Sequence, residues 1–238
     1  MQLHDLLISF AALFSEILGT LSGFGSSTFF VPIASYLENL QFVLALTAIL
    51  HCFGNTSKIF LFREHFEWKY FLRLAIPSVV LSGIGALMTN YLPGEVLKTG
   101  LGVVLILLSS IFLLGKFRFK RLPVWVAIIL SGISGFATGL VGTGGAIRGI
   151  ALGALNLERG SFVVLSAAID FGGDFLRLVI YLKNGFMDWS QWFYIPILGI
   201  MAFLGARIGK KLLGLIPQKK FEKMVALFIL AGGIAMLF

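Results

Sequence analysis

Apolar residues fill this chain in runs of near-spanning length, with very little polar sequence between them. The runs cover about 3–22, 28–37, 41–62, 70–90, 95–115, 122–141, 147–157, 160–182, 189–209 and 221–238. Eight are long enough to cross a bilayer, since about 20 apolar residues span about 30 Å of hydrocarbon. The second and seventh, at roughly half that length, are too short. The pattern predicts an all-α polytopic membrane protein with brief loops.

Two long runs are interrupted by small residues. The first break reads Ser22-Gly23-Phe24-Gly25-Ser26-Ser27-Thr28, and the second reads Val141-Gly142-Thr143-Gly144-Gly145-Ala146. They lie 119 residues apart, and the same offset pairs Leu46 with Leu165, Gly54 with Gly173, Asn55 with Asp174, Lys58 with Arg177 and Pro77 with Pro196. A constant offset held over such a distance indicates a duplication, with halves at 1–118 and 119–238. Paired interrupted segments in two halves are the sequence pointer to a transporter's binding site.

Charge placement sets the topology. If all eight long runs cross, Arg63, Lys69, Lys116, Arg118, Lys120, Arg121 and Lys183 fall on one side, against Arg159, Lys210, Lys211, Lys219 and Lys220 on the other. That division, seven to five, is barely a bias. If instead each broken run and its short partner form a re-entrant hairpin, all of these residues share one side except Lys183. Cationic loops stay in the cytoplasm, so the second arrangement is favoured. Each half is then one re-entrant broken-helix hairpin plus three transmembrane helices, and the two are inverted repeats. Both termini lie on the non-cytoplasmic side, and the hairpins are expected to meet near the midplane, where protein covers their freed backbone groups.

Composition agrees and removes other classes. Of 238 residues, 58% are apolar and 13% charged, against about 45–50% and about 25% in soluble domains. The net charge of +8 follows from the cationic loops; there is no basic arm with interleaved aromatics of the nucleic-acid-binding kind. Cys52, the only cysteine, cannot form an intramolecular disulfide. The first residues lack a basic leader region and are echoed at 122–141, so they read as mature structure. No HExxH, Cys/His metal cluster or nucleophile–base set is present, so neither an enzyme nor a cofactor or metal site is expected.

Charges inside the apolar runs carry the chemistry, because each costs about 2.5–3.5 kcal/mol at a helix centre and therefore faces the interior. His51, Asn55 and Lys58 are spaced i, i+4, i+7, and Asp170, Asp174 and Arg177 repeat that spacing in the second half. Each triplet lies on one helical face. The glycine breaks expose half-helix N-termini, which attract anions, beside Ser26, Ser27, Thr28 and Thr143. The substrate-binding set is therefore Gly25, Ser26, Ser27, Thr28, Asn55, Lys58, Thr143, Gly144, Gly145, Arg148 and Arg177. His51, Asp170, Asp174 and Glu16 are the candidates for coupling or proton handling. Plainer roles stay open: a mutual Asp174–Arg177 ion pair, snorkelling of Lys58 or Arg177, a packing role for His51, a capping role for Glu16 and an Arg148–Glu16 pair. Lys58, Arg148 and Arg177 balance Glu16, Asp170 and Asp174, so a dianion would favour uptake of H⁺ or Na⁺.

At these residues the chain resembles the TauE/SafE family of sulfite-exporter-like membrane proteins. The likeness rests on Gly23-Phe24-Gly25-Ser26-Ser27 followed by Val31-Pro32, and on Gly142-Thr143-Gly144-Gly145. It departs from the family pattern in the serines of the first break and in lacking the proline expected after the second, with Arg148-Gly149 nearby. The resemblance implies a prokaryotic plasma-membrane carrier of small sulfur-containing anions such as sulfite or sulfonates. The expected function is a cation-coupled secondary transporter of a small oxyanion, working by alternating access in the bacterial inner membrane. The alternative is an anion channel or a proton- or Na⁺-translocating protein. Its partners are the anion, a coupling cation and the lipid bilayer; homo-oligomerisation is left open.

Overall fold

The computed structural model describes residues 3–23, 25–113, 123–153, 155, 157–213, 215, 226–227, 229–234 and 236–237. Phe24, Lys116, Arg118, Lys120, Arg121, Lys219, Lys220 and parts of the last apolar run lie outside them. The helices are α1 (Leu3–Ser22), α2 (Ser27–Ala34), α3 (Leu40–Leu61), α4 (Trp68–Thr89), α5 (Gly94–Leu113), α6 (Val124–Val141), α7 (Gly145–Gly153), α8 (Arg159–Lys183) and α9 (Tyr194–Leu212). Short 3-10 turns stand at Arg63–His65 and Trp189–Gln191. No strand occurs among the described residues.

Helix ends follow local chemistry. Asn39 caps α3, its Oδ1 accepting from the Phe42 amide at 2.9 Å, which satisfies one of the free N–H groups at a helix start. Gly142, at φ 79°, closes α6 in the left-handed conformation that glycine adopts without strain. The ninth run begins five residues later than its hydrophobicity predicts. Asp188 and Gln191 exchange hydrogen bonds in the preceding turn, and α9 starts only at Tyr194. Pro196 consequently falls in the first turn of α9, where proline costs little, whereas its counterpart Pro77 lies inside α4.

Among the described residues, four helices, α1, α3, α4 and α6, are long and apolar enough to cross a membrane. Outward faces are apolar as well: Phe10, Ile76, Trp125 and Ile200 are each more than half exposed, a surface suited to lipid rather than water. The interior is built around α3, whose Leu44, Leu46, Leu50 and Ala48 are completely buried. The main packing partners are α4 with α6, α1 with α9, α3 with α8, and α8 and α9 against α4 and α3 respectively. This pattern is unchanged when the halves are exchanged at the 119-residue offset. Small residues allow the closest contacts. Gly135 and Gly139 of α6 lie against the Ser78 and Ser82 backbone of α4, so that a Cβ at Gly139 would stand 1.9 Å from Ser82 O.

Contacts at the helix ends fix directions. At one end, the His4 ring donates to Leu37 O at 2.9 Å, and the Tyr194 hydroxyl donates to Asp5 Oδ1 at 2.7 Å. At the other, Lys210 reaches Leu61 O, Arg159 Nη1 donates to Leu213 O at 3.2 Å, and Gly160 packs on the His65 ring. Helices α3 and α8 therefore run antiparallel. Arg63, Lys69, Arg159, Lys210 and Lys211 gather at the second end, and Lys183 sits at the first.

The α1–α2 segment is a hairpin in the protein frame, with Gly19 against Ser26 at the fold and His4 beside Leu37 at the open end. Its arms are unequal. With 20 residues α1 is about 30 Å long, and it reaches the far end, where Thr20 packs on Gly209 and Gly23 on Phe162. The short arm α2 begins halfway along α3, at the level of His51. The breaks thus lie between a full-length helix and a half-helix, because the apolar run before each glycine is itself spanning length.

Candidate functional site

Two members of the first triplet, His51 and Asn55, meet Asp174 of the second, while Lys58 pairs elsewhere. His51 Nδ1 lies 3.1 Å from Asp174 Oδ2, Asn55 Nδ2 donates to the same oxygen at 2.7 Å, and Arg177 Nε donates to Asp174 Oδ1 at 2.8 Å. Asn55 and Asp174 lie 119 residues apart in sequence and touch directly. All four side chains are buried. A carboxylate here tolerates burial because three donors satisfy it.

The breaks flank this centre. The Ser27 amide donates to His51 Nε2 at 3.0 Å, and the Thr28 and Thr143 hydroxyls lie 3.1 Å apart, joining the two broken segments. Gly23 and Gly25 adopt φ 70° and 89°. A Cβ at Gly25 would stand 3.5 Å from Arg148 Nη2, 3.6 Å from His51 Cε1 and 3.9 Å from Asp170 Oδ2. Gly144 serves a different need: a side chain there would meet Ser134 O at 2.1 Å, and its own carbonyl accepts from Ser134 Oγ at 2.7 Å. Gly145 begins α7 and is buried beside it.

Arg148 pairs with Asp170 through Nη1, not with Glu16. Its Nε donates to Ser166 Oγ at 2.8 Å, and Ser166 in turn donates to Gly23 O at 2.9 Å, tying the second half-helix to the first break. Glu16 instead meets Lys58: Nζ lies 2.9 Å from Oε1 in a buried ion pair between Gly54 and Gly205. The pair is made by proximity, since neither Glu16 oxygen has a directed hydrogen bond.

The second half has no such carboxylate, because Gly135 stands at the position equivalent to Glu16. Arg177 is fully buried, and among the described residues its Nη1 and Nη2 have no directed hydrogen-bond partner. Nη1 faces the second break, 3.8 Å from where a Gly142 Cβ would be. Tyr181 approaches with its ring, the centroid 5.9 Å from the guanidinium carbon, and its hydroxyl, which gives its hydrogen to Gly139 O, keeps its oxygen toward the guanidinium.

A comparison with protein families matches residues 8–236 to the sulfite exporter TauE/SafE family. The chain belongs to this family. It is a multi-pass membrane protein of the TauE/SafE class, and the doubled glycine breaks that suggested the resemblance form the centre just described. Searches of curated proteins and of solved structures returned no match.

For this family member, the structure brings together Gly25, Ser27, His51, Asn55, Arg148, Asp170, Asp174 and Arg177, with Thr28 and Thr143 bridging the breaks. It sets Lys58 and Glu16 aside as a separate pair on the Gly54 side of α3. Ser166 and Tyr181 were not singled out from sequence, yet they extend the stripe of α8 by one step at each end, at i−4 from Asp170 and i+4 from Arg177. His51, Asp170 and Asp174 each place one ligand atom within 4.8 Å of the others. Both carboxylates are held by guanidiniums, so a metal ion would face two fixed positive charges; the donor set suits a proton better.

Proposed function

We propose that the protein is a secondary carrier of a small oxyanion of the sulfite or sulfonate class, worked by alternating access around the meeting point of the two breaks. The observation that carries this reading is the free edge of Arg177. At the equivalent place Lys58 pairs with Glu16, whereas Arg177 pairs with Asp174 through Nε and, among the described residues, its Nη1 and Nη2 have no hydrogen-bond partner. A guanidinium edge binds a tetrahedral or pyramidal oxyanion with two parallel hydrogen bonds. A bound anion would complete in the second half what Glu16 completes in the first.

The halves 1–118 and 119–238 form inverted repeats in this reading. Support comes from the antiparallel α3 and α8, the exchange symmetry of helix packing, and the cations gathered at one end. Exposed Arg73 and Arg207, inside apolar runs, lie toward that same end. It faces the cytoplasm of a bacterial inner membrane, which leaves the start of α1 on the opposite face. Transport is coupled to H⁺ or Na⁺, because the three buried ion pairs are neutral before a substrate arrives.

The test is counterflow in proteoliposomes. Labelled sulfite and methanesulfonate should enter in a saturable manner, driven by unlabelled anion inside, and accumulate further under an imposed proton or Na⁺ gradient. Flux that does not saturate and carries current without counterflow would make the protein a channel.

A further inference from the structure

Hydrogen bonding fixes the tautomer of His51. The Ser27 amide can only donate, so Nε2, 3.0 Å away, carries the lone pair. The ring hydrogen therefore sits on Nδ1 and is donated to Asp174 Oδ2 at 3.1 Å. A neutral imidazole is wedged between the first amide of a half-helix and a carboxylate of the other half.

That amide belongs to the group of N–H donors an anion takes at a helix N-terminus. While Nε2 accepts it, it is occupied. Two further features converge on the same place. The Ser26 hydroxyl, completely buried at the start of α2, has no hydrogen-bond partner among the described residues. The missing side chain of Gly25 opens directly onto Arg148, His51 and Asp170.

We infer that His51 is a proton-operated plug: adding a proton to Nε2 releases the Ser27 amide to the anion, so one proton is bound with each anion. With hydrogens on both nitrogens, Nε2 and the Ser27 amide are two donors facing each other and can no longer bond. The imidazolium turns to Asp174 and Asp170, each with an oxygen within 4.8 Å. The freed amide, the Ser26 hydroxyl and the added charge then receive the oxyanion. The charges around the ring are consistent with this count. From α8 come Asp170, Asp174 and Arg177, and from α7 comes Arg148; together they are neutral. The α2 face offers only hydroxyls and amides. Glu16 of α1 is engaged with Lys58 of α3, and Arg207 of α9 is exposed. Arginine does not release its proton in proteins, whereas the Nε2 lone pair of His51 can accept one.

The proposal rests on the oxyanion-carrier reading and fails separately from it. Purified protein is titrated with methanesulfonate and with sulfate, neither of which titrates near neutral pH, in buffers of different ionisation enthalpy. Wild type should take up one proton per anion, its affinity falling about tenfold per pH unit on the alkaline side, as linkage requires. His51→Gln places an amide oxygen near the Nε2 position, so the plug stays in and binding should be weak at every pH. His51→Asn is too short to reach Ser27, and binding should be tight and independent of pH. Anion binding without proton uptake, or an unchanged pH slope in either variant, would overturn the plug while leaving the anion site standing. Failure of wild type to bind either probe would remove both. Should the variants not fold, imidazole nitrogen NMR of the wild type still decides: the Nδ1–H tautomer without anion, imidazolium with it. An unchanged tautomer on binding contradicts the proposal.

Discussion

Lys58 and Arg177 occupy equivalent places on α3 and α8 and have different surroundings, one paired with Glu16 and the other with Asp174 through Nε, its Nη1 and Nη2 lacking a hydrogen-bond partner among the described residues. The Glu16–Lys58 pair should behave as a buried ion pair in a stability cycle. Glu16→Ala alone strands a buried ammonium and should lower stability by about 3–5 kcal/mol. The double variant with Lys58→Met should recover most of that loss. Unfolding midpoints in detergent check this, and equal losses in the single and double variants would deny the coupling. The polar stripes were legible from sequence because i, i+4, i+7 spacing puts residues on one helical face. Their partners were not, since spacing within a helix says nothing of what another helix presents. Arg148 meets Asp170 rather than Glu16 because α7 packs on α8, a tertiary fact with no local trace.

Among the elements, the pairing of α4 with α6 is the tightest. Gly139 has Ser82 O at 1.9 Å from where a Cβ would be, while Gly100 of α5 has nothing within 4 Å. Gly139→Ala must push the helices apart and should cost about 1–3 kcal/mol. Gly100→Ala meets no obstacle and should be neutral or stabilise by about 0.5–1 kcal/mol through the helix preference for alanine. Paired thermal unfolding of the two variants tests this, and similar losses for both would contradict the packing described. Glycine-rich interruptions announced the breaks at the right residues. The unequal arms were harder to see, because an apolar run of spanning length reads the same whether the helix crosses or turns back after reaching the far end. Gly25 and Gly144, alike in sequence, also diverge: one takes a left-handed conformation and the other allows backbone close to Ser134.

For the whole molecule, inversion and orientation make one prediction that cysteine labelling can check. In a Cys52→Ser background, Asp188→Cys in the α8–α9 connection should react with an impermeant thiol reagent on intact cells. Glu64→Cys in the α3–α4 connection should react only once cells are opened. The reverse result would invert the topology, and labelling of both from outside would contradict it. The number of long apolar runs made the membrane class readable, and loop cations are the basis of the proposed orientation. The meeting of the halves at Asn55 and Asp174 needed the structure, because an offset identifies equivalent residues without saying which of them touch. The central claim is that an oxyanion is held by the free edge of Arg177, and equilibrium binding of sulfate and methanesulfonate to the purified protein tests it most directly. Wild type should bind saturably. Arg177→Gln should bind at least about tenfold more weakly, the loss expected for a charged hydrogen bond worth about 1.5–3 kcal/mol, with Gly100→Ala unchanged. Binding by Arg177→Gln with wild-type affinity would contradict the account.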